Sequence, residues 1–399
     1  MAHLPKSQQF TQGLLVDDGD LNVSPWNPPI KGYHGAVDGT GRYTGLKLKL
    51  DAAASNQNWR LLETRDYPTS QSELSFLDLF SGAGGMSVGF SEAGWRKLLS
   101  VERDSSASAT IRRNFPTSVH FEGSIESLTE DTLYRAIDGQ SVQVVCGGPP
   151  CQGFSVAGKR ALGDSRNGLF HEYLRIVRLV QPDYVVLENV PGIVTIGGGG
   201  VLREILKGFA DAGYPDMSVR ILEAAEFGIP QLRARAVLIG NRLGRANPYP
   251  IPWLDRAHYR SIESAIEDLQ DTPRNRALNH EWTNHSPTFI KRLACVPPGG
   301  SLYPSFRDAW KRQYLGVPAM TVKENHGGVG IHPNLPRVLS VRECARLQTF
   351  PDTYLFAGSM KRGYWQVGNA VPCILARQIA LAIRIDLADQ GRGTTTTGT

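Results

Sequence analysis

Cysteine is scarce in this chain: there are five in 399 residues, an odd number with no Cys-x-x-Cys pair among them. That count excludes a disulfide framework and fits reduced thiols, and without paired cysteines His280, His285 and Cys295 do not make a zinc pattern, so no metal is expected. Long apolar runs are missing too, and none approaches the ~20 residues of a membrane span. The first residues carry Asp17, Asp18 and Asp20 and no apolar core, which is not a signal peptide. The expectation is a cytoplasmic protein without membrane contact. An excess of one charge is also lacking overall, with 43 Lys and Arg against 38 Asp and Glu. The basic surplus is concentrated, however. Residues 272–340 hold nine basic side chains (Arg274, Arg276, Lys291, Arg292, Arg307, Lys311, Arg312, Lys323, Arg337) and three acidic ones (Glu281, Asp308, Glu324). Such a region is expected to touch phosphates.

What is present is an alternation of strands and helices. Residues 76–80 form a short apolar strand, 81–85 a glycine turn, and the pattern through Phe90 and Ala93 a helix. Strand, glycine turn and helix open a nucleotide-binding α/β unit. The third glycine of a dinucleotide fingerprint is absent, since Ser87 stands there, so the turn suits an adenosine without phosphates. A second strand at 98–102 ends in Glu102, roughly 20 residues beyond the turn, where a carboxylate accepts from ribose hydroxyls. Further strands are predicted at 119–121, 142–145, 184–187, 218–222 and 236–240. The fifth strand of the series delivers Glu188 at its carboxyl end, in line with Asp78, Glu102 and Cys151. Arg233 and Arg235 precede the last strand on one face by period two, either as a solvated edge or aimed at a ligand.

Cys151 lies in the loop Cys146-Gly-Gly-Pro-Pro-Cys-Gln-Gly-Phe-Ser155. The glycines bend the backbone and the prolines stiffen it, so the loop presents one side chain. Taken alone, Cys151 fits a small buried hydrophobe, a partner for Cys146 or a nucleophile.

These segments divide the chain into an N-terminal extension of unknown role (1–73), whose one strand-like stretch is 46–50, and a catalytic domain (74–270, rejoined by 337–388). A small basic domain (271–336) and a disordered Thr/Gly tail (389–399) complete the division, with the final helix ending near Leu387.

The blocks FLDLFSGAGG, VERD, GGPPCQGFS, ENVPG, PQLRAR, RECARLQTFPD and QVGNAVP occur in that order over residues 75–388. In them the chain resembles the bacterial DNA (cytosine-5)-methyltransferases of restriction-modification type. The resemblance implies a class I S-adenosylmethionine-dependent methyltransferase fold, α/β and Rossmann-like, with a seven-stranded mixed sheet and a small target-recognition domain at 271–336. It implies transfer of a methyl group from S-adenosylmethionine to carbon 5 of a flipped cytosine in a specific duplex sequence.

By the same resemblance, Cys151 adds to carbon 6, Glu188 supplies the proton at N3, Arg235 holds O2, and Arg233 supports the base or Glu188. Asp78, Phe80, Gly82, Gly84, Glu102, Pro149 and Asn369 surround the cofactor. Ser124 joins them at the adenine amino group, where the family usually has the Asp of Gly-Asp-Ile and a serine hydroxyl can still accept a hydrogen bond. Gln152, Ser155, Asn189, Lys291, Arg292, Arg307, Lys311 and Arg312 are the implied DNA contacts. The implied partners are duplex DNA and a cognate restriction endonuclease acting on the same site without direct contact, with the protein a monomer. Relatives that act on tRNA carry Cys-Phe-Thr near the target region, whereas here Cys295 precedes Val296 and Cys344 precedes Ala345.

Overall fold

The computed structural model describes residues 58–150, 165–303, 310–324 and 330–390. Its strands are β1 (Trp59–Leu62), β2 (Ser75–Leu79), β3 (Arg96–Glu102), β4 (Val119–Glu122), β5 (Val144–Gly147), β6 (Tyr184–Asn189), β7 (Ser218–Glu223), β8 (Ala234–Asn241) and β9 (Asn247–Pro250). Seven of them form one sheet in the order β4-β3-β2-β5-β6-β8-β7. β2 to β6 are parallel, and β8 is antiparallel to both β6 and β7, which makes the expected seven-stranded mixed sheet. Every residue of β2, β5 and β6 is buried, as the near-continuous apolar runs of a doubly covered parallel sheet require. The chain moves outward from β2 to β3 and β4, then returns to place β5 on the other side of β2. That reversal opens a crevice at the carboxyl ends of β2 and β5.

The helices are α1 (Gly85–Glu92), α2 (Ser105–Asn114), α3 (Glu130–Ile137), α4 (Ser165–Val180), α5 (Gly200–Ala210), α6 (Glu263–Ile266), α7 (Pro287–Ala294), α8 (Val341–Leu347), α9 (Met360–Asn369) and α10 (Cys373–Gln390). Leu133 of α3, Tyr173 and Val177 of α4, and Leu202 and Phe209 of α5 cover one face of the sheet. Phe90 of α1 with Leu375, Ile379 and Ile383 of α10 covers the other. α1 and α10 approach closely because Gly89 has no side chain: a Cβ there would lie 2.5 Å from the Cys373 carbonyl oxygen. A third cluster joins α8 and α9 to Phe350, Tyr354 and Phe356, so the returning C-terminal segment packs as part of the catalytic body. Ser340 and Glu343 start α8 with a reciprocal capping box.

Two expectations need revision. Order begins before residue 74, since β1 pairs in parallel with β9. The short strand β1 lacks an alternation that would mark it in the sequence, and β9 contains Pro248 and Pro250, which are confined to edge positions. α10 continues through Gln390, past the expected end near Leu387 and across the assigned start of the tail. The strand-like stretch 46–50 lies outside the described residues, as do 391–399. Among the described residues, no helix is long and apolar enough to cross a membrane.

The N-terminal segment is fastened by charge. Asp386 of α10 is fully buried and receives Arg60 of β1, the Tyr184 hydroxyl of β6, and Arg245 at 3.0 Å. Replacing Asp386 with alanine removes the carboxylate that two arginines and a phenol share. Because both arginines are partly exposed, the expected loss is near the lower end of the buried-pair range, about 3 kcal/mol in a urea titration. A loss under about 1 kcal/mol would mean that the cluster does not secure the segment.

Candidate active site

The end of β2 turns sharply. Phe80 adopts a left-handed backbone with φ 57°, and Gly82 and Gly84 follow at 52° and 81°. A Cβ at Gly84 would strike Ile111 Cδ1 at 2.6 Å, while one at Gly82 would meet nothing within 4 Å. The turn is therefore packed below and open above. Glu102 closes its side: one carboxylate oxygen accepts the Gly82 N–H at 2.9 Å and the other the Asp104 N–H at 2.8 Å. Each oxygen retains a lone pair for a further donor. Burial raises the Glu102 carboxyl above its ordinary range, against the pull of those N–H groups.

Asp78 sits beneath this turn rather than in it. Its side chain is buried, accepts the Ser87 hydroxyl at 2.6 Å, and has a carboxyl pushed up to about 6 by burial. Ser87, where the absent fingerprint glycine would stand, thus has a structural reason to be serine. Ser124 is partly exposed and donates to the Glu126 carboxylate, so its hydroxyl is already engaged locally. Asn369, at the end of α9, is exposed and donates to the Trp365 carbonyl at 3.1 Å.

β5 leads into the cysteine loop. Cys146 is buried, its thiol donates to the Leu77 carbonyl at 3.3 Å, and burial raises its pKa well above the usual thiol value. It is an inert strand residue. A Cβ on Gly147 would lie 2.3 Å from the Leu79 carbonyl oxygen, so glycine here permits the close approach of β5 to β2. Pro149 is buried, and its carbonyl accepts from Asn189 Nδ2 at 3.0 Å. Cys151, Gln152 and Ser155 lie outside the described residues.

β6 and β8 bring the charged pair together. Glu188 opposes Val237 and Asn189 opposes Ala236, which puts Arg235 at the carboxyl end of β6. Arg235 Nε lies 2.8 Å from Glu188 Oε1, with both side chains nearly buried. The other carboxylate oxygen faces Gly148, where an added Cβ would be 3.2 Å from it. Burial raises the Glu188 carboxyl, outweighing the lowering influence of Arg235 and Arg233. The result is an acid that holds its proton to higher pH than a solvated glutamate, beside a cation and directly over the backbone that leads to Cys151.

Three residues expected at the site or on DNA make their hydrogen bonds to main-chain carbonyls, although Arg233 still acts on Glu188 through its charge. Arg233 does not share Arg235's direction. It is buried and donates to the carbonyls of Val322 at 2.9 Å and of Gly368 at 2.8 Å and Ala370 at 3.0 Å, the last two on either side of Asn369. Period two fails because β8 starts only at Ala234, after Arg233. Asn189 is buried and braces Pro149 instead of lying on DNA. Arg312 is buried as well: it donates to the Val296 carbonyl at 2.7 Å, the Leu293 carbonyl at 2.6 Å and the His332 carbonyl at 2.6 Å. The basic region has little regular structure, and this one guanidinium gathers carbonyls from the end of α7 and from the irregular segment at His332. Lys291 and Arg292 are exposed on α7, with Arg292 5.5 Å from the rings of both Phe289 and Tyr303. Lys311 is half-buried, and Arg307 lies outside the described residues.

One buried group at this corner was not marked by any motif. Glu223 ends β7, is buried, and accepts the Arg233 backbone N–H at 2.6 Å. A lone acid at a strand end carries no signal in sequence.

Comparison with known proteins agrees with this arrangement. The C-5 cytosine-specific DNA methylase family matches residues 74–384. The Type II methyltransferase M1.HphI of Haemophilus parahaemolyticus is 41% identical over 325 residues, covering 78% of this chain and 86% of that protein. M.XorII of Xanthomonas oryzae is 33% identical over 353 residues, covering 76% and 82%. A solved prophage-encoded DNA modification methyltransferase of E. coli superimposes with a TM-score of 0.67 at 26% identity, over 79% of this chain and 99% of that one. A Spodoptera frugiperda DNMT2 structure shares the fold with a TM-score of 0.57 at 20% identity, over 78% and 99%. With the glycine turn, the Gly148–Pro150 backbone and the Glu188–Arg235 pair at one sheet edge, and a family match across most of its length, the chain belongs to the C-5 cytosine-specific DNA methylases.

Proposed function

We propose that the protein methylates carbon 5 of a cytosine flipped out of a specific duplex DNA sequence, through a covalent adduct with Cys151, as the modification enzyme of a restriction-modification system. The observation that carries the mechanistic reading is the 2.8 Å Glu188–Arg235 pair beside the backbone that leads to Cys151.

Cytosine carbon 5 is a poor nucleophile, so its reaction requires prior addition at carbon 6. The Cys151 thiolate forms the bond to carbon 6, and the electrons of the 5,6 double bond move toward carbon 5 as N3 takes up a proton. Glu188, with its raised pKa, holds that proton at the needed place. Arg235 stabilises the charge that builds on O2. Carbon 5 then takes the methyl group, for which S-adenosyl-L-homocysteine would be the neutral leaving group; carbon 5 loses its proton to a base, the returning electrons expel the Cys151 thiolate, and N3 gives its proton back to Glu188. A stacked base cannot meet these groups, so the cytosine is extruded.

The β2 turn fits S-adenosylmethionine, which supplies the electrophilic methyl group. Gly82 is open above, Glu102 retains acceptor capacity for ribose hydroxyls, and the turn carries no Lys or Arg for phosphates. Phe80, Gly82, Gly84, Glu102 and Asn369 would line this place, with Asp78 supporting it from below and Pro149 facing it from the cysteine loop. Lys291 and Arg292, with Lys311 and Arg307, are the proposed phosphate and base contacts of the target region. The protein would act as a monomer on cytoplasmic, nucleoid DNA, and a cognate endonuclease would share its sequence without touching it.

Replacing Cys151 with serine should abolish methyl transfer and the covalent complex with 5-fluorocytosine DNA while preserving binding to ordinary duplex. Methylation by the serine variant at near wild-type rate would sink the covalent route. Replacing Glu188 with glutamine should lower kcat about a hundredfold or more with little change in cofactor KM. The sign of the pH effect follows from the required protonated form: wild-type rate should fall on the alkaline side as Glu188 loses its proton, and that limb should vanish in the glutamine variant. An identical alkaline limb in both proteins would assign the proton to another group.

A further inference from the structure

Glu223 stands at the one point where the strand bearing Arg235 begins. β7 and β8 are antiparallel with Glu223 opposite Ala234 and Leu222 opposite Arg235, so the ladder ends at this pair. Arg233, one residue before β8, then has a backbone N–H with no strand residue to receive it. The Glu223 side chain takes its place, accepting that N–H at 2.6 Å, while the Ala224 N–H donates to the Arg233 carbonyl at 3.1 Å. Side chain and main chain of consecutive residues thus clasp both polar groups of Arg233. The same carboxylate oxygen also accepts the Ala225 N–H at 3.4 Å, at the head of the short turn Ala224–Phe227.

We infer that Glu223 is a positioning residue for methyl transfer, which sets the register in which β8 delivers Arg235 to Glu188. A strand has a side-chain period of two, so a slip by one residue would replace Arg235 with Ala234 or Ala236 at the pocket. Arg233 cannot prevent that slip through the sheet, because it precedes the strand. Its own side chain anchors it to the carbonyls of Val322, Gly368 and Ala370, and the Glu223 clasp connects this anchor to β7. The three acids and two arginines at this corner are Glu188 from β6, Glu223 from β7, Glu226 from the turn after it, and Arg233 and Arg235 around the start of β8. Burial pushes the Glu223 carboxyl up to about 7. Its task is reach rather than charge, since its hydrogen bonds are to the backbone N–H groups of Arg233 and Ala225, which a neutral carboxyl oxygen accepts as a carboxylate does.

Reach and charge are separable. Glu223→Gln keeps the length and the acceptor oxygen, whereas Glu223→Asp keeps the acid and is one methylene short of the Arg233 N–H. The inference rests on Arg235 acting on the flipped base, so the full-length wild type and a Cys151→Ser control accompany both variants. Each is assayed for kcat, cofactor KM, thermal midpoint and the rate of covalent trapping on 5-fluorocytosine duplex. Glu223→Gln is expected to remain within about threefold of wild type in kcat and trapping rate, and Glu223→Asp to lose about tenfold or more in both. Cofactor KM should stay within about twofold in each, because both variants alter the clasp on the Arg233 main chain and keep the Arg233 side chain that anchors the segment around Asn369. A fully active Asp variant, a Gln variant as impaired as Asp, or parallel losses in kcat, KM and folding would overturn the positioning role. Failure of the wild type to trap, or retention of activity by Cys151→Ser, would instead overturn the covalent reading of the site.

Discussion

The antiparallel insertion of β8 between β6 and β7 is the constraint on which the site depends. A wholly parallel sheet would require β8 to begin at the opposite edge, and Arg235 would then lie far from Glu188. Reversing this one strand brings its first residues to the carboxyl end of β6, where Arg235 Nε meets Glu188 Oε1 at 2.8 Å. The pair is nearly buried, so each charge is costly without the other. Burial at the same time lifts the glutamate's affinity for a proton. The chemistry proposed for the enzyme draws on both properties, a held cation and a carboxyl whose hold on a proton is strengthened by burial.

Buried arginines hold the rest of the molecule in relation to that pair. Arg233 fastens the start of β8 to the carbonyls around Asn369, Arg312 gathers carbonyls of the basic region, and Arg342 takes those of Leu278, Pro351 and Tyr354. Arg337 is paired with the buried Glu343 at 2.6 Å and lies 4.2 Å from the Trp282 ring. These segments are irregular, and their carbonyls have no ladder to satisfy them, so a forked side chain with five donors replaces secondary structure. Part of the basic surplus that points to DNA is therefore internal scaffolding. The exposed cations on α7 remain available for phosphates.

Much of the fold was legible because its signals are local. Apolar runs at 76–80, 142–145 and 184–187 became central strands, and the chain order of motif blocks located the carboxyl edge that collects Glu102, Glu188 and Pro149. β1 was not legible, since its four residues show no alternation and its partner β9 is nearly 190 positions away in sequence. Asp386 was equally silent: an acid on a helix looks solvated until Arg60, Tyr184 and Arg245 arrive from three other places. Asn189 and Pro149 appeared as separate motif members and prove to be one brace.

By itself the sequence determined the fold class, the family and the residue types at the site, because strand periodicity, glycine turns and the Pro-Pro-Cys loop are properties of neighbouring residues. Only the tertiary structure decided which of several similar side chains face the pocket. Arg233 and Arg235 are two residues apart and chemically identical, yet one binds main-chain carbonyls and the other binds Glu188. The physical reason is that β8 starts between them. That boundary is set by where β7 ends and by the Glu223 carboxyl that takes the last N–H, contacts made between segments and invisible in either alone.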